Sequence, residues 1–434
     1  MRAIGVRELT ASIVNVTIAS SIFLMPATVA AALGAAAPIA YIVCAVLMAL
    51  IGLCFAAAGS RVSLSGGLYA YIETAFGGLA GFLGGMLYSL TACLGVASVA
   101  TAFAGSVGVL WPPLATSLPR ALLLTALFAL LAWVNVRGVK PGIRLVEAIT
   151  AAKLTPLLFL VVAGVWFVRA DFLEMSMPTL AQVGQTSIVL LFAFVGTEVA
   201  LAPSGEIREP SATVPRAILA ALTIATVVYL AVQVVAQGVL GPELPQFRDA
   251  PLAETARRFA GRAGELVLLV GATISIFGYI AGDMLGTPRG LFAMARDGVL
   301  PGRFAEVHPR YHTPALAIVV YAVIVAALAI SSSFETLVVM ANVTALALYL
   351  LCVGASYQLQ RRDIRMAGTP FNLPGGVALP LLAAAGILWL LAQASAREYR
   401  VAGGAIAAAT VYYLIRRRYV VTASGASAVR GRDR

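Results

Sequence analysis

Long apolar runs follow one another along almost the whole chain and are separated by short polar connections. Most of these runs reach the roughly 20 residues that an α-helix needs to cross a hydrocarbon core about 30 Å thick. The pattern predicts an all-α integral membrane protein of about twelve transmembrane helices, and the runs lie at about 9–32, 36–58, 80–110, 120–136, 146–168, 183–203, 216–240, 263–287, 314–331, 336–357, 377–394 and 401–415.

The composition excludes a soluble protein of this length. Hydrophobic residues make up 61% of the chain and charged residues 11%, against roughly 45–50% and about 25% in soluble domains. A soluble fold could not cover that much apolar surface. We therefore predict one transmembrane domain over residues 1–421, followed by a disordered basic cytoplasmic tail at 422–434.

The distribution of positive charge predicts the orientation in the membrane. With twelve spans, 21 of the 30 Lys and Arg residues lie on the side of the two termini, eight lie on the other side, and Lys153 lies within a span. Basic residues are enriched in cytoplasmic loops. The sequence thus predicts a multi-pass inner-membrane protein with both termini in the cytoplasm. It also argues against a nucleic-acid partner, although the net charge is +11.

Two predicted spans contain residues that interrupt a helix. The first holds Ser20 and Ser21 shortly before Pro26, and the sixth holds Gly196 and, two residues later, Glu198. In hydrocarbon each unpaired backbone group costs several kcal/mol, so broken helix is tolerated only where it lines a protein-walled cavity. We therefore expect both interruptions to face such a cavity.

The positions of the two breaks also predict the topology. Breaks in spans one and six, five spans apart, are typical of two inverted five-helix repeats. The first repeat would comprise spans 1–5 at about 9–168, and the second would comprise spans 6–10 at about 183–357. Spans 11 and 12, at about 377–415, would be peripheral.

Four motifs in order resemble the amino acid–polyamine–organocation superfamily. They are ASSIFLMP at Ala19–Pro26, SGGLYAYIETAFGGLAGFLGG at Ser65–Gly85, FAFVGTE with GEIREPSATVPRAI inside Phe192–Ile218, and RGLFAMARDGVLP at Arg289–Pro301. The resemblance implies alternating-access amino acid transport on the five-plus-five inverted-repeat fold. The chain departs from it in the first span, where Ala19 and Ser21 stand in place of glycines, which are the residues that let backbone approach a ligand closely.

A zwitterionic amino acid needs an anion site and a cation site close together, and helix breaks provide both. Free N–H groups at the start of a half-helix suit a carboxylate, and the carbonyls that end the preceding half-helix suit an ammonium. With the resemblance, the predicted substrate-binding residues are Ile18, Ala19, Ser20, Ser21 and Ile22 in the first span and Phe192, Ala193, Phe194 and Gly196 in the sixth. The alternative is structural: the serines satisfy helix carbonyls and the phenylalanines pack.

Glu198 and Asp283 lie well inside predicted spans, where charge is costly and usually functional. Glu198 either braces the broken sixth span or takes part in proton exchange and gating. Asp283 in span eight either pairs with Arg289 or Lys140 at the cytosolic edge or lines the substrate cavity. The second alternative follows from the resemblance, and we count Asp283 among the predicted substrate-binding residues.

Lys153 in the fifth span is the predicted coupling residue, together with Glu198. Its position matches a lysine that some proton-coupled members of the superfamily carry in place of a sodium ion. Burial can lower a lysine pKa from about 10.4 by up to 3–5 units, which would permit proton release near neutral pH. The alternative is that its stem bends and carries the ammonium to the membrane surface.

The sequence therefore predicts a proton-coupled secondary transporter of a neutral or apolar amino acid. A cationic amino acid or a polyamine becomes the better substrate if Asp283 faces the cavity. A receptor that has kept the transporter fold is the alternative from another class. The chain has two His and none of the G-x-S-x-G, H-E-x-x-H or P-loop motifs, so we expect neither an enzyme nor a cofactor or metal. The oligomeric state is not predicted.

Overall fold

The computed structural model of the chain describes residues 5–18, 20–62, 67–138, 143–198, 207–296, 298, 300–366 and 369–430, without the side chains of residues 20, 143–153, 293 and 416–430. Helices dominate the described residues. They are α1 (Val6–Thr17), α2 (Met25–Leu33), α3 (Ala37–Arg61), α4 (Leu68–Phe76), α5 (Gly78–Leu110), α6 (Ser117–Arg137), α7 (Ile143–Gly164), α8 (Leu180–Leu190), α9 (Pro210–Leu240), α10 (Pro251–Arg296), α11 (Ala315–Ser331), α12 (Phe334–Arg361), α13 (Ala378–Leu391) and α14 (Ala396–Arg430).

Six helical stretches of the described chain are long and apolar enough to cross a membrane. They are Met25–Arg61, Gly78–Leu110, Ser117–Arg137, Pro210–Gln246, Pro251–Arg296 and Phe334–Arg361. Helices α13 and α14 form one further apolar pair, bent by 118°, and two apolar helices are shorter, at Leu180–Ala193 and Ala315–Ser331. The part of α7 whose side chains are described, together with the turn after it, is also apolar, at Leu154–Phe167. The all-helical, multi-pass architecture is thus confirmed, whereas twelve spans and the inverted repeat stay predictions.

The count is lower than twelve for a physical reason. Helical segments of the predicted spans one and six stop partway across, at Thr17 and Ala193, so neither span is one long helix. The predicted span at 314–331 corresponds to α11, a helix of 17 residues. Neither an interrupted stretch nor a helix of 17 residues reaches, as one helix, the roughly 20 residues that a span needs.

The last helix extends further than the sequence indicates. Helix α14 runs to Arg430, past residue 422, where the disordered tail was predicted to begin. No proline interrupts residues 419–430, so the backbone can continue in helical conformation. Residues 431–434 lie outside the described part of the chain.

The buried side chains form two main hydrophobic cores. The first core is centred on α1, α3, α8, α9 and α12 and includes the fully buried Tyr41 and Tyr229. The second core is built from α5, α6, α10 and α11 and includes Phe128 and Tyr321. Phe192 packs against both. The boundary between the two cores therefore runs past the predicted break in the sixth span.

A buried arginine attaches the connection between α12 and α13 to the end of α3. The Arg61 side chain, 3% exposed, forms an ion pair with Asp363 at 3.4 Å and donates to the Asn372 Oδ1 at 3.0 Å. Hydrogen bonds from Arg365 and then Arg61 lower the pKa of Asp363. A lowered pKa stabilises the folded state above the ordinary value of about 3.9, and this contribution is lost as the pH falls through the lowered pKa.

Candidate functional site

The first helical stretch is interrupted where the sequence predicts. Helix α1 ends at Thr17, and Ile18 leaves the helix with φ −76° and ψ 73°. A 3₁₀ turn follows at Ser20–Phe23, and α2 begins at Met25. The second residue of α2 is a proline, which is tolerated there because the first amides of a helix have no intrahelical partner. The break thus leaves a helix end and a helix start within eight residues of each other.

The predicted binding residues of this break are buried where they are described. Ile18 is 1% exposed, Ser21 3% and Ile22 0%. Ala19 and the Ser20 side chain lie outside the described residues. The turn Ser20–Phe23 packs against α5 and α10 as well as the sixth span, so this segment sits between the two cores.

The sixth predicted span is interrupted in a similar way. Helix α8 gives way to a 3₁₀ turn at Leu191–Ala193, and the chain continues as turn through Glu198. Gly196 has φ +121°, a region that glycine enters at little steric cost and side chains avoid. Residues 199–206 lie outside the described residues. The interruption itself is described from Leu191 to Glu198.

The two breaks lie side by side. A Cβ atom placed on Gly196 would lie 2.7 Å from the Val16 Cγ1 of α1. The turn Ser20–Phe23 also contacts the turn Leu191–Ala193. Only the absence of a side chain at Gly196 permits this approach. A symmetry axis relating the two spans stays a prediction.

One hydroxyl group joins both breaks. The Tyr229 hydroxyl of α9 lies 2.6 Å from the Thr17 carbonyl and 2.7 Å from the Ala193 carbonyl. Both carbonyls end helical segments, where no following amide is available to them. A phenol carries one proton to donate, so the two carbonyls share it. Tyr229 was not among the predicted site residues. Its position inside an apolar run could have indicated it, because a buried tyrosine usually finds a polar partner.

Glu198 is directed back onto its own backbone. The side chain is 6% exposed, and its Oε2 accepts a hydrogen bond from the Gly196 amide at 3.0 Å. Tyr349 of α12 lies beside the carboxyl group. This geometry matches the bracing alternative of the sequence analysis, because the carboxylate satisfies an amide that the broken helix leaves unpaired.

Asp283 does not pair with Arg289, and that predicted alternative is wrong. Its carboxylate accepts hydrogen bonds from the Tyr321 hydroxyl of α11 and, at 2.7 Å, from the Thr287 hydroxyl. Arg289 instead donates to the Leu285 carbonyl. Residues six apart on a helix point in directions about 120° apart around its axis and are about 9 Å apart along it, which explains why the two side chains do not meet. Lys140, the other predicted partner, lies outside the described residues.

Two tyrosines lie near both carboxylates. The hydroxyls of Tyr88 in α5 and Tyr279 in α10 both interact electrostatically with Glu198 and with Asp283. Tyr88 packs on the first core and Tyr279 on the second. The site is therefore a polar seam between two apolar cores, bounded on one side by the helix breaks. Sequence reasoning missed both tyrosines, which carry no local signal.

The predicted coupling lysine stands on α7, but its side chain lies outside the described residues. Helix α7 packs against α10, the helix that carries Asp283 and Tyr279. The location of the helix is thus compatible with the predicted role. The contacts of Lys153 stay a prediction.

Comparison with known proteins gives the same class for the whole chain. The family model described as "Amino acid permease" matches residues 4–402. The methylthioribose transporter of Bacillus subtilis (strain 168) is 28% identical over 407 residues, which cover 90% of this chain and 88% of that protein. The serine/threonine exchanger SteT of the same organism is 25% identical over 96% of this chain and 97% of its own length.

A third relative is named for a different group of amino acids. The branched-chain amino acid permease BcaP of Bacillus subtilis (strain 168) is 26% identical over 410 residues, covering 90% of this chain and 87% of that protein. The family match covers all the elements that form the seam: the two helix breaks and the helices α5 and α10. From its fold, the paired breaks and this match, the chain belongs to the amino acid permease family of the amino acid–polyamine–organocation superfamily.

Proposed function

We propose that the protein is a secondary active transporter that carries a neutral or apolar amino acid across the inner membrane by alternating access. The observation that carries the proposal is the meeting of the two helix breaks at the boundary of the two cores, tied together by the Tyr229 hydroxyl. Broken spans of this kind hold the substrate near the membrane midplane in transporters built from repeats. An enzyme or a channel would need no such pair of facing breaks.

The breaks offer complementary groups to a zwitterion. The carbonyls of Thr17 and Ala193 stand at the C-terminal ends of helical segments, where the backbone dipole is negative and an ammonium group is favoured. The start of α2 at Met25 follows within a few residues, and amides at a helix start favour a carboxylate. The two charges of an amino acid thus have separate partners on one short segment.

The two cores supply the moving parts. A packed core resists deformation and moves as a unit, and the seam is where one unit can shift against the other. Phe192 packs on both cores and Gly196 contacts α1. A shift of the first core against the second would therefore act directly on the substrate groups. In the proposal, this shift of the two cores is the movement that opens the site to each side of the membrane in turn.

A neutral substrate is favoured because both acidic groups of the seam already have partners. Glu198 binds the Gly196 amide, and Asp283 binds two hydroxyls. A cationic amino acid or polyamine is the second candidate, favoured by one observation: Asp283 is only partly buried. A carboxylate has about four acceptor sites, and the two recorded hydrogen bonds leave others for an ammonium group.

The Asp283→Asn variant separates the two substrate classes. Asparagine keeps one oxygen that can accept from one of the two hydroxyls, and its NH2 group can donate to the oxygen of the other, so we expect uptake of neutral amino acids into proteoliposomes to stay within about threefold of wild type. The panel should contain leucine, serine and methylthioribose, because the relatives are named for branched-chain amino acids, serine/threonine and methylthioribose. Arginine and putrescine are added to test the cationic class. If wild type takes up arginine or putrescine and the Asp283→Asn variant does not, the substrate belongs to the cationic class. Substrate binding without uptake in wild type would favour the receptor alternative.

Proton coupling through Lys153 is part of the proposal and has its own test. Lys153→Ala is expected to abolish the dependence of uptake on an imposed pH gradient while leaving substrate binding measurable, since it removes the group that takes up the proton. The neighbouring residue offers a matched control, Leu154→Ala, which removes a comparable volume from the same helix without a charge. A Lys153→Ala protein that still accumulates substrate under the gradient would rule out this role.

Two Glu198 variants distinguish bracing from proton transfer. Glutamine keeps an oxygen that can accept from the Gly196 amide, whereas alanine leaves that buried amide unpaired, at a cost of about 1–3 kcal/mol. We expect uptake by Glu198→Gln to stay near wild type and uptake by Glu198→Ala to fall about tenfold or more. If the glutamine variant also loses uptake or its pH dependence, the charge itself is required and the bracing role is insufficient.

A further inference from the structure

A narrow apolar groove runs along the outside of the second core, between α6 and α11. It encloses about 600 Å³. Its floor is formed by buried residues, among them Phe128, Ala132 and Ala322, and Val323 stands on its exposed rim. The α6 residues that line it recur at spacings of three and four, from Thr125 to Arg137, so they share one helix face. The groove is open along a side that faces away from the protein.

One end of the groove is polar and positively charged. Arg137 and Trp133 line it, with the guanidinium carbon 4.0 Å from the centre of the indole ring. Tyr311 closes the same end, and Arg310 lies over its ring at 5.5 Å. Both arginines are exposed, and neither makes an ion pair in the described part of the chain.

The polar end is built into the fold. The Thr313 hydroxyl donates to the Val136 carbonyl at 2.6 Å, which attaches the loop before α11 to the end of α6. The loop residues 300–314 contain two arginines, and Glu306 is their only acidic residue. Trp and Tyr are the side chains that collect at the membrane–water interface. This end therefore has the composition of a headgroup site, and the rest of the groove has that of an acyl-chain site.

We propose that this groove binds one anionic phospholipid, with the phosphate between Arg137 and Arg310 and an acyl chain between α6 and α11. Guanidinium groups bind phosphate oxygens with charge-assisted hydrogen bonds, and Arg137 is held at the mouth by its contact with Trp133. The small side chains Ala129, Ala132, Ala322 and Ala326 line the groove and leave room for an acyl chain. The lipid links the two helices on the outer face of the second core.

The dimensions select a lipid rather than a second protein. Thr125 and Arg137 are twelve residues apart, so the groove is about 18 Å long. That length is close to one leaflet of a hydrocarbon core about 30 Å thick. A transmembrane helix of a second copy of this chain would need a seat through both leaflets, which a groove of this length does not provide. A lipid has one charged end and a chain that spans one leaflet.

The proposal is tested by native mass spectrometry of the purified full-length protein with dioleoyl phosphatidylglycerol and dioleoyl phosphatidylcholine. Each basic residue near an anionic headgroup contributes a factor of about five in affinity. Wild type is expected to bind the first phosphatidylglycerol at least about fivefold more tightly than phosphatidylcholine. Arg137→Gln should remove about that factor, whereas Arg120→Gln, at the other end of the same helix, should leave the affinity unchanged.

A second pair of variants tests the apolar part of the site. Ala129→Trp fills the groove and should weaken the binding of both lipids, whereas Ala126→Trp places the same ring on an exposed position of α6 outside the groove and should not. If Ala129→Trp does not yield folded protein, Ala326→Leu fills the groove from the α11 side. Equal affinities for the two lipids in wild type overturn the proposal. The proposal is also overturned if Arg137→Gln and Arg120→Gln bind phosphatidylglycerol with the same affinity. The same holds if a groove-filling variant changes the oligomeric state and leaves lipid binding unchanged.

Discussion

Replacing Gly196 by alanine is expected to reduce the rate of substrate uptake by about thirtyfold or more. The added Cβ would lie 2.7 Å from the Val16 Cγ1, and the residue has φ +121°. A strained backbone position costs about 1–3 kcal/mol and overpacking a further 1–3 kcal/mol. Since about 2 kcal/mol corresponds to roughly thirtyfold, the variant should lose most of its activity if the transport cycle uses this contact between the breaks.

Gly95→Ala is the matched control for this experiment. Gly95 lies in α5 beside the same site, but a Cβ there would be 3.6 Å from the Phe192 Cε2, which is an ordinary van der Waals distance. Uptake by this variant should stay within about threefold of wild type. Both proteins are compared in proteoliposomes at equal amounts of folded protein, judged by gel filtration. Near wild-type uptake by Gly196→Ala would show that the close approach of the breaks is not needed.

Replacing Tyr229 by phenylalanine should reduce uptake by about tenfold or more. The change keeps the ring and its contact with Phe194, whose ring centre lies 5.2 Å away. It removes the hydroxyl that the Thr17 and Ala193 carbonyls share. A buried acceptor left without a partner costs about 1–3 kcal/mol, and here two are affected. The breaks would then lose the one group that connects both of them to α9.

Tyr41→Phe controls for the loss of a buried phenol in the same core. The Tyr41 hydroxyl donates to the Gln233 Oε1 at 3.2 Å and makes no hydrogen bond to the described residues of either break, although its ring centre lies 6.1 Å from that of Tyr229. We expect this variant to transport within about threefold of wild type. If the two variants lose activity to the same extent, the effect belongs to the core as a whole and Tyr229 has no special part at the breaks.

The two predictions concern a single structural unit. Gly196 brings the sixth span against α1, and Tyr229 holds the carbonyls of both spans from the side of α9. Residues in contact through a shared group are expected to be energetically coupled. The double variant should therefore lose less activity than the product of the two single losses. Independent effects would indicate that the breaks act separately.

The sequence by itself determined the environment of the protein and the positions of both interruptions. Membrane insertion follows from hydropathy, which is a property of each run and needs no partner. The breaks at Ile18 and Gly196 follow from hydroxylated residues, glycine and nearby proline, because these alter the local backbone wherever they stand. The order of the four motifs indicated the family, which the comparison over residues 4–402 confirms.

Only the tertiary structure decided which side chains meet in the seam. Tyr229, Tyr88 and Tyr279 come from three different helices, and the sequence contains no period or motif that relates them. Asp283 was assigned to Arg289 as one alternative because the two are close in sequence, yet the rotation of α10 directs the carboxylate to Tyr321 of α11. The reason is general: hydropathy and breakers act along one helix, whereas partners across helices depend on how each helix is rotated and packed against its neighbours.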